Sequence, residues 1–113
     1  MTILPSQISD VMTVKAGDTM RILYEQLQLA GQNIPLSGRS VYLYIHDPET
    51  DITLARTASI TSAISGSVQY QLTTDDIGTS GHRLVEWRIV DEGGKVLTIP
   101  STGYLYWVIE DTL

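Results

Sequence analysis

The chain has 113 residues, 42% of them hydrophobic, no cysteine, and a formal charge of -6. This is the length of a single domain with apolar content enough for one core; it leaves no thiols for disulfides or thiolate metal sites and no basic footprint for nucleic acid or an anionic membrane. The opening MTILPSQISDVM lacks a basic region and a long apolar run, so it reads as no signal peptide, and no stretch is apolar for long enough to span a bilayer as a helix.

Residues 1–10 read as a loose arm and 11–113 as one domain. Apolar residues then recur at every second position between turn signals, the pattern of half-buried strands. VMTVK (11–15) is the first expected strand, followed by the turn AGD. In MRILYEQLQLA (20–30) Met20, Ile22 and Tyr24 alternate, and Leu27 and Leu29 follow only after a shift of one, which predicts a bulge between Leu23 and Glu25. GQN (31–33) is a turn, and IPLSG is extended because Pro35 disfavours helix in the residue before it and donates no ladder bond.

SVYLYIH (40–46) alternates cleanly and ends in the turn DPETD. ITLART (52–57) and ASITSAI (58–64) read as two weaker strands or one bent strand, and SVQYQLT (67–73) as a further strand. TTDDIGTSG predicts one turn of helix, with Thr73 or Thr74 as its cap, Asp75 and Asp76 in the first turn and Gly78 at its end. HRLVEWRIV is a long strand, DEGGK a tight hairpin, and KVLTIP and YLYWVIE complete the series. The expected fold class is all-β: an immunoglobulin-like β-sandwich of about seven to nine antiparallel strands.

Four segments fall in a recognisable order: VKAGDT (14–19), IPLSGRSVYLYI (34–45), GSVQYQLTTDDIGTSGHRLVEWRIVDEGGKV (66–96) and IPSTGYLYWVIE (99–110). In that order and spacing the sequence resembles the N-terminal domain of phage baseplate upper proteins and related tail-fibre attachment domains. The resemblance implies an immunoglobulin-like sandwich serving as a non-enzymatic virion part, in hexameric or trimeric placement. The sequence reaches Leu113 with no helical stalk or receptor-binding head, so the expectation is a cement, adaptor or decoration piece.

No catalytic constellation is legible. His46 and His82 are far apart in sequence, G-x-S-x-G is absent, and SGH (80–82) reads as a turn into a strand. DPETD lacks the downstream glycine and bidentate glutamate of a calcium loop, and DEGGK has no strand-to-helix context for phosphate. The carboxylates cluster in turns, including Asp75 and Asp76, where solvation is the simple reading. The expectations are no enzyme, no cofactor and no metal.

The informative residues are those on the polar side of the alternation. With Val41, Leu43, Ile45, Val85, Trp87, Ile89, Leu105, Trp107 and Ile109 inward, facing Ile22, Leu27, Val68, Tyr70 and Leu72, the opposite face collects Tyr42, Tyr44, His46, Leu84, Arg88, Tyr104, Tyr106 and Val108, with Glu86 and Val90. Tyrosine and arginine in place of lysine mark the cores of protein interfaces. Cross-strand tyrosines can also simply stabilise a wet sheet, and Ile3, Leu4 and Ile8 could fold over the face.

The function expected is a baseplate or tail-tip module mediating protein–protein assembly, made in the host cytoplasm and located in the virion. Its partners are other virion proteins and, as a homo-oligomer, its own copies, with no nucleic acid and no membrane. A capsid decoration or neck protein is one alternative. A carbohydrate-binding module is another, although the tryptophans that usually lead such platforms sit on the inward positions.

Overall fold

The computed structural model describes residues 8–113, so the cover expected from Ile3 and Leu4 lies outside the described residues, as does the side chain of Ile8. Strands β1 (Ile8–Lys15), β5 (Ser40–Asp47), β6 (Ile52–Thr57), β9 (Gly81–Val90), β10 (Val96–Ile99) and β11 (Tyr104–Glu110) form the large sheet, in the order β1-β11-β9-β5-β6 with β10 also on β9. Strands β2 (Ile22–Gln26), β7 (Ser59–Ser62) and β8 (Ser67–Gln71) form the small one, in the order β2-β8-β7. A short hairpin of β3 (Gln28–Leu29) and β4 (Gln32–Asn33) and one helical turn, α1 (Thr74–Ile77), complete the sandwich.

The alternation in β5, β9 and β11 is what packs the two sheets. Val41, Leu43, Ile45, Val85, Trp87, Ile89, Trp107 and Ile109 are all buried against Val68, Leu72, Leu27 and Ile77. Burying side chains of this size contributes about 1.5–3 kcal/mol each before the entropy of ordering is subtracted. β10 and β11 share one edge of β9: Ile99 lies opposite Trp87 and Leu105 opposite Val85, so residues 100–103 bulge out of an otherwise continuous line. β1 adds to the far side of β11 as a parallel strand, beginning three residues ahead of the expected start.

Two segments are corrected, and a third follows one of its two expected forms. β2 has no bulge, and its phase is the reverse of that expected: Leu23 packs against the core, while Ile22 and Tyr24 are exposed. Leu23, Glu25 and Leu27 follow one unbroken alternation, with the carboxylate of Glu25 on an inward position. The turn expected at 31–33 lies at Ala30 and Gly31, both with positive φ, and Gln32 and Asn33 form a strand. The segment 52–64 is the bent-strand alternative: β6 leaves the large sheet at buried Ala58, whose N–H donates to the Val41 carbonyl, and continues as β7 in the small one.

Two glycines explain local geometry. Gly66 has φ of 73°, and a Cβ there would stand 2.7 Å from the Ile34 carbonyl oxygen, so the β7–β8 turn can press against the β3–β4 hairpin only with glycine. Gly78 ends α1 for a different reason: its φ is ordinary, but a Cβ would meet the Thr74 carbonyl oxygen at 2.5 Å.

Candidate docking face

The outward residues of β5, β9 and β11 meet on one face, as the register requires. Tyr42 lies opposite Arg88, Tyr44 opposite Glu86 and His46 opposite Leu84 across β5–β9; Tyr106 lies opposite Leu84 and Val108 opposite His82 across β9–β11. Tyr44, His46, Leu84, Glu86, Arg88 and Tyr104, with Thr53 of β6, line a shallow hollow of about 210 Å³.

The polar tips are fixed by one another. The Arg88 guanidinium lies 3.8 Å over the Tyr44 ring and donates from Nε to Glu86 at 3.1 Å. Such a stack holds a cation without removing its remaining donors. His46 Nδ1 and the Thr53 hydroxyl share a hydrogen bond of 2.7 Å, and His46 Nε2 lies 3.4 Å from Asp51. The Tyr106 hydroxyl and His82 Nδ1 share one of 2.6 Å, with the two rings parallel at 5.2 Å. The rings are therefore held in place ahead of any contact, which lowers the side-chain entropy lost on binding.

Two residues depart from the expected set. Leu84 belongs to the face but is only 2% exposed, covered between His46 and Tyr106, so it forms the floor of the hollow and offers little surface to a partner. His82 was not among the expected residues, yet it extends the tyrosine row; stepping back two positions from Leu84 along β9 reaches it. Tyr42, Tyr44, His46, Arg88, Tyr104, Tyr106 and Val108 are each half-buried, as rings lying flat on a sheet would be.

A second polar cluster overturns the solvated reading of Asp76. This residue is 1% exposed, and its carboxylate accepts from Arg56 Nε at 2.9 Å, from the Tyr70 hydroxyl at 2.6 Å and from the Thr73 N–H at 2.8 Å. Burial pushes its pKa up, but these donors prevail and hold it below the ordinary carboxylate range. Burial and the same hydrogen bond push the Tyr70 hydroxyl up to about 12. Arg56 comes from β6, Tyr70 from β8 and Asp76 from α1, so the cluster ties the two sheets together at one side of the sandwich.

No family model matches the chain, and no curated protein matches it. Solved structures similar to it include the N-terminal domain of phage TP901-1 ORF48, with a TM-score of 0.69 and 16% identity, over 88% of this chain and 84% of that one. CopC from Methylosinus trichosporium OB3b matches with a TM-score of 0.57 and 13% identity, over 93% of this chain and 88% of that one. At these identities the likeness is one of fold.

Proposed function

We propose that the chain is a non-enzymatic structural module of a bacteriophage virion, located in the baseplate or tail tip, and that it joins other virion proteins through the tyrosine face of its large sheet. The observation that carries this reading is the likeness in fold to the phage ORF48 N-terminal domain. It agrees with the order of segments that resembles baseplate upper proteins, found independently in the sequence. The pre-fixed rings of Tyr44, Tyr106, His46 and His82 supply a surface of the composition that protein partners select. Cyclic repetition in a virion would multiply such contacts, so each can be weak. A carbohydrate platform led by tryptophan has no support on this face, because Trp87 and Trp107 are both buried in the core.

The test is the mass of the chain in solution from micromolar to about 100 micromolar, alone and mixed with purified tail and capsid proteins. A defined oligomer or a tail complex, lost on Tyr44→Glu with Tyr106→Glu, supports the reading. A chain that stays monomeric and binds neither tail nor capsid proteins overturns it, and binding to capsids alone moves the module to the head.

A further inference from the structure

The two sides of the sandwich differ. One is closed by β6 running into β7 and by the Arg56–Asp76–Tyr70 cluster. On the other, β1 and β2 are the end strands of their sheets, and between them a slot of about 360 Å³ opens into the interior. Its lining is mixed: Met12, Leu23, Val85, Trp87, Leu105 and Trp107 supply the apolar part, and Asp10, Thr13, Arg21 and Glu25 the polar part. Among the described residues the indole N–H of Trp87, a residue only 2% exposed, has no hydrogen-bond partner.

Two carboxylates stand in the mouth. Asp10 lies opposite Leu105 and Glu25 opposite Val68, so both take inward positions on their strands. Partial burial, and then the charge of Asp10, raise the pKa of Glu25. Among the described residues neither carboxylate has a basic side chain within ion-pair distance. Arg21 and Tyr24 line the same opening, yet it is the like charge of Asp10 that acts on Glu25. Asp10 and Glu25 are both exposed, and Asp10 accepts from the Val11 N–H at 2.9 Å; two like charges at the lip of a slot with apolar walls are complementary to a cation on an apolar stem. The rims are strand edges, which offer main-chain groups to an extended chain.

We propose that this slot receives an extended segment of another protein bearing a lysine or arginine, whose methylene stem lies against Leu23 and Trp87 and whose charged head sits between Asp10 and Glu25. The slot opens on the other side of the large sheet from the tyrosine face, with Tyr106 of β11 bordering both, and its proposed occupant does not depend on the phage reading.

Both tryptophans of the chain line the slot, so their indole signals report on it directly. The experiment titrates the full chain with n-hexylammonium, and separately with hexanoate and hexanol, following the two indole N–H resonances. A saturable shift with the amine, at least fivefold weaker with hexanoate, is expected. Glu25→Gln should weaken the amine by about the same factor and leave hexanol unchanged. Asp10→Asn serves as the second variant should Glu25→Gln melt early. The peptide acetyl-Thr-Val-Lys-Val-Thr-amide should displace the amine, and its counterpart with Glu for Lys should not. No indole shift with the amine means the slot is closed to outside ligands and overturns the proposal. Equal response to hexanoate overturns its charge selection, and failure of the lysine peptide to compete overturns the extended segment as occupant.

Discussion

Two clusters in this molecule are built from the same parts and do opposite things. Tyr70, Arg56 and Asp76 lie between the sheets, whereas Tyr44, Arg88 and Glu86 lie on the outer face of the large sheet. In the first, the carboxylate is buried and takes three donors, from β6, from β8 and from the cap of its own helical turn. In the second, the arginine donates to a neighbour on its own strand and rests on a ring across the ladder. Residue type does not separate the two; access to water does. A buried carboxylate leaves unpaired donors behind if it is lost, and an exposed one does not.

The sharpest way to break that contrast is Asp76→Ala. It strands the Tyr70 hydroxyl and the Thr73 N–H, and it should destabilise the chain by about 3 kcal/mol, or a melting point lower by about 10 °C or more in calorimetry. Acid should reproduce part of this loss. The pKa values of Asp76 and Asp47 are lowered on folding from an ordinary 3.8, Asp76 by its Tyr70, Thr73 and Arg56 donors and Asp47 chiefly by the Glu49 N–H and the charge of Arg83, each against an opposing effect of burial. The stability they contribute is complete above that ordinary value and lost as pH falls through the folded-state values. Denaturant midpoints measured downward from about pH 5 should therefore fall, and less steeply in Asp76→Asn. Tyr70→Phe should cost about 1 kcal/mol, whereas Tyr106→Phe, whose hydroxyl meets the exposed ring of His82, should stay within about 0.5 kcal/mol.

Tyr44→Glu with Tyr106→Glu should lower stability by about 1 kcal/mol while removing association altogether, a separation visible by comparing melting with light scattering. If the double variant unfolds, the outer cluster is structural and the contrast fails. The smallest effect is expected at Glu25. Its pKa is raised on folding, so its charge opposes the fold at neutral pH and ceases to do so as pH falls through the raised value. Glu25→Gln should be slightly more stable than the parent at pH 7 and no different from it near pH 3, by chemical denaturation.

What the sequence made legible follows from where its alternation was clean. Val41, Leu43 and Ile45, and Val85, Trp87 and Ile89, carry apolar side chains at every second place, so their face and therefore the tyrosine face could be read directly. Thr73, Asp76 and Gly78 marked the helical turn through its cap chemistry. β2 misled because an inward place is held by Glu25, so apolarity pointed to Ile22 and Tyr24, which are exposed. The irregularity that spoiled the reading is the residue that charges the slot. Asp76 was hidden for another reason: its neighbour Asp75 is an exposed carboxylate of the same turn, and only the arrival of Arg56 and Tyr70 from distant strands distinguishes them. His82 heads the expected strand HRLVEWRIV in phase with Leu84, Glu86 and Arg88, and its place at the end of the turn SGH is what hid it.

The parallel ladder between β1 and β11 has a mechanical consequence. It pairs Ile8 with Tyr104 at one end and Lys15 with Glu110 at the other. Tension applied ahead of Ile8 and beyond Glu110 runs along both strands in opposite senses, so the hydrogen bonds between them share the load in shear instead of parting one after another. Stretched from those two points, this sandwich should yield at high force and in a single step.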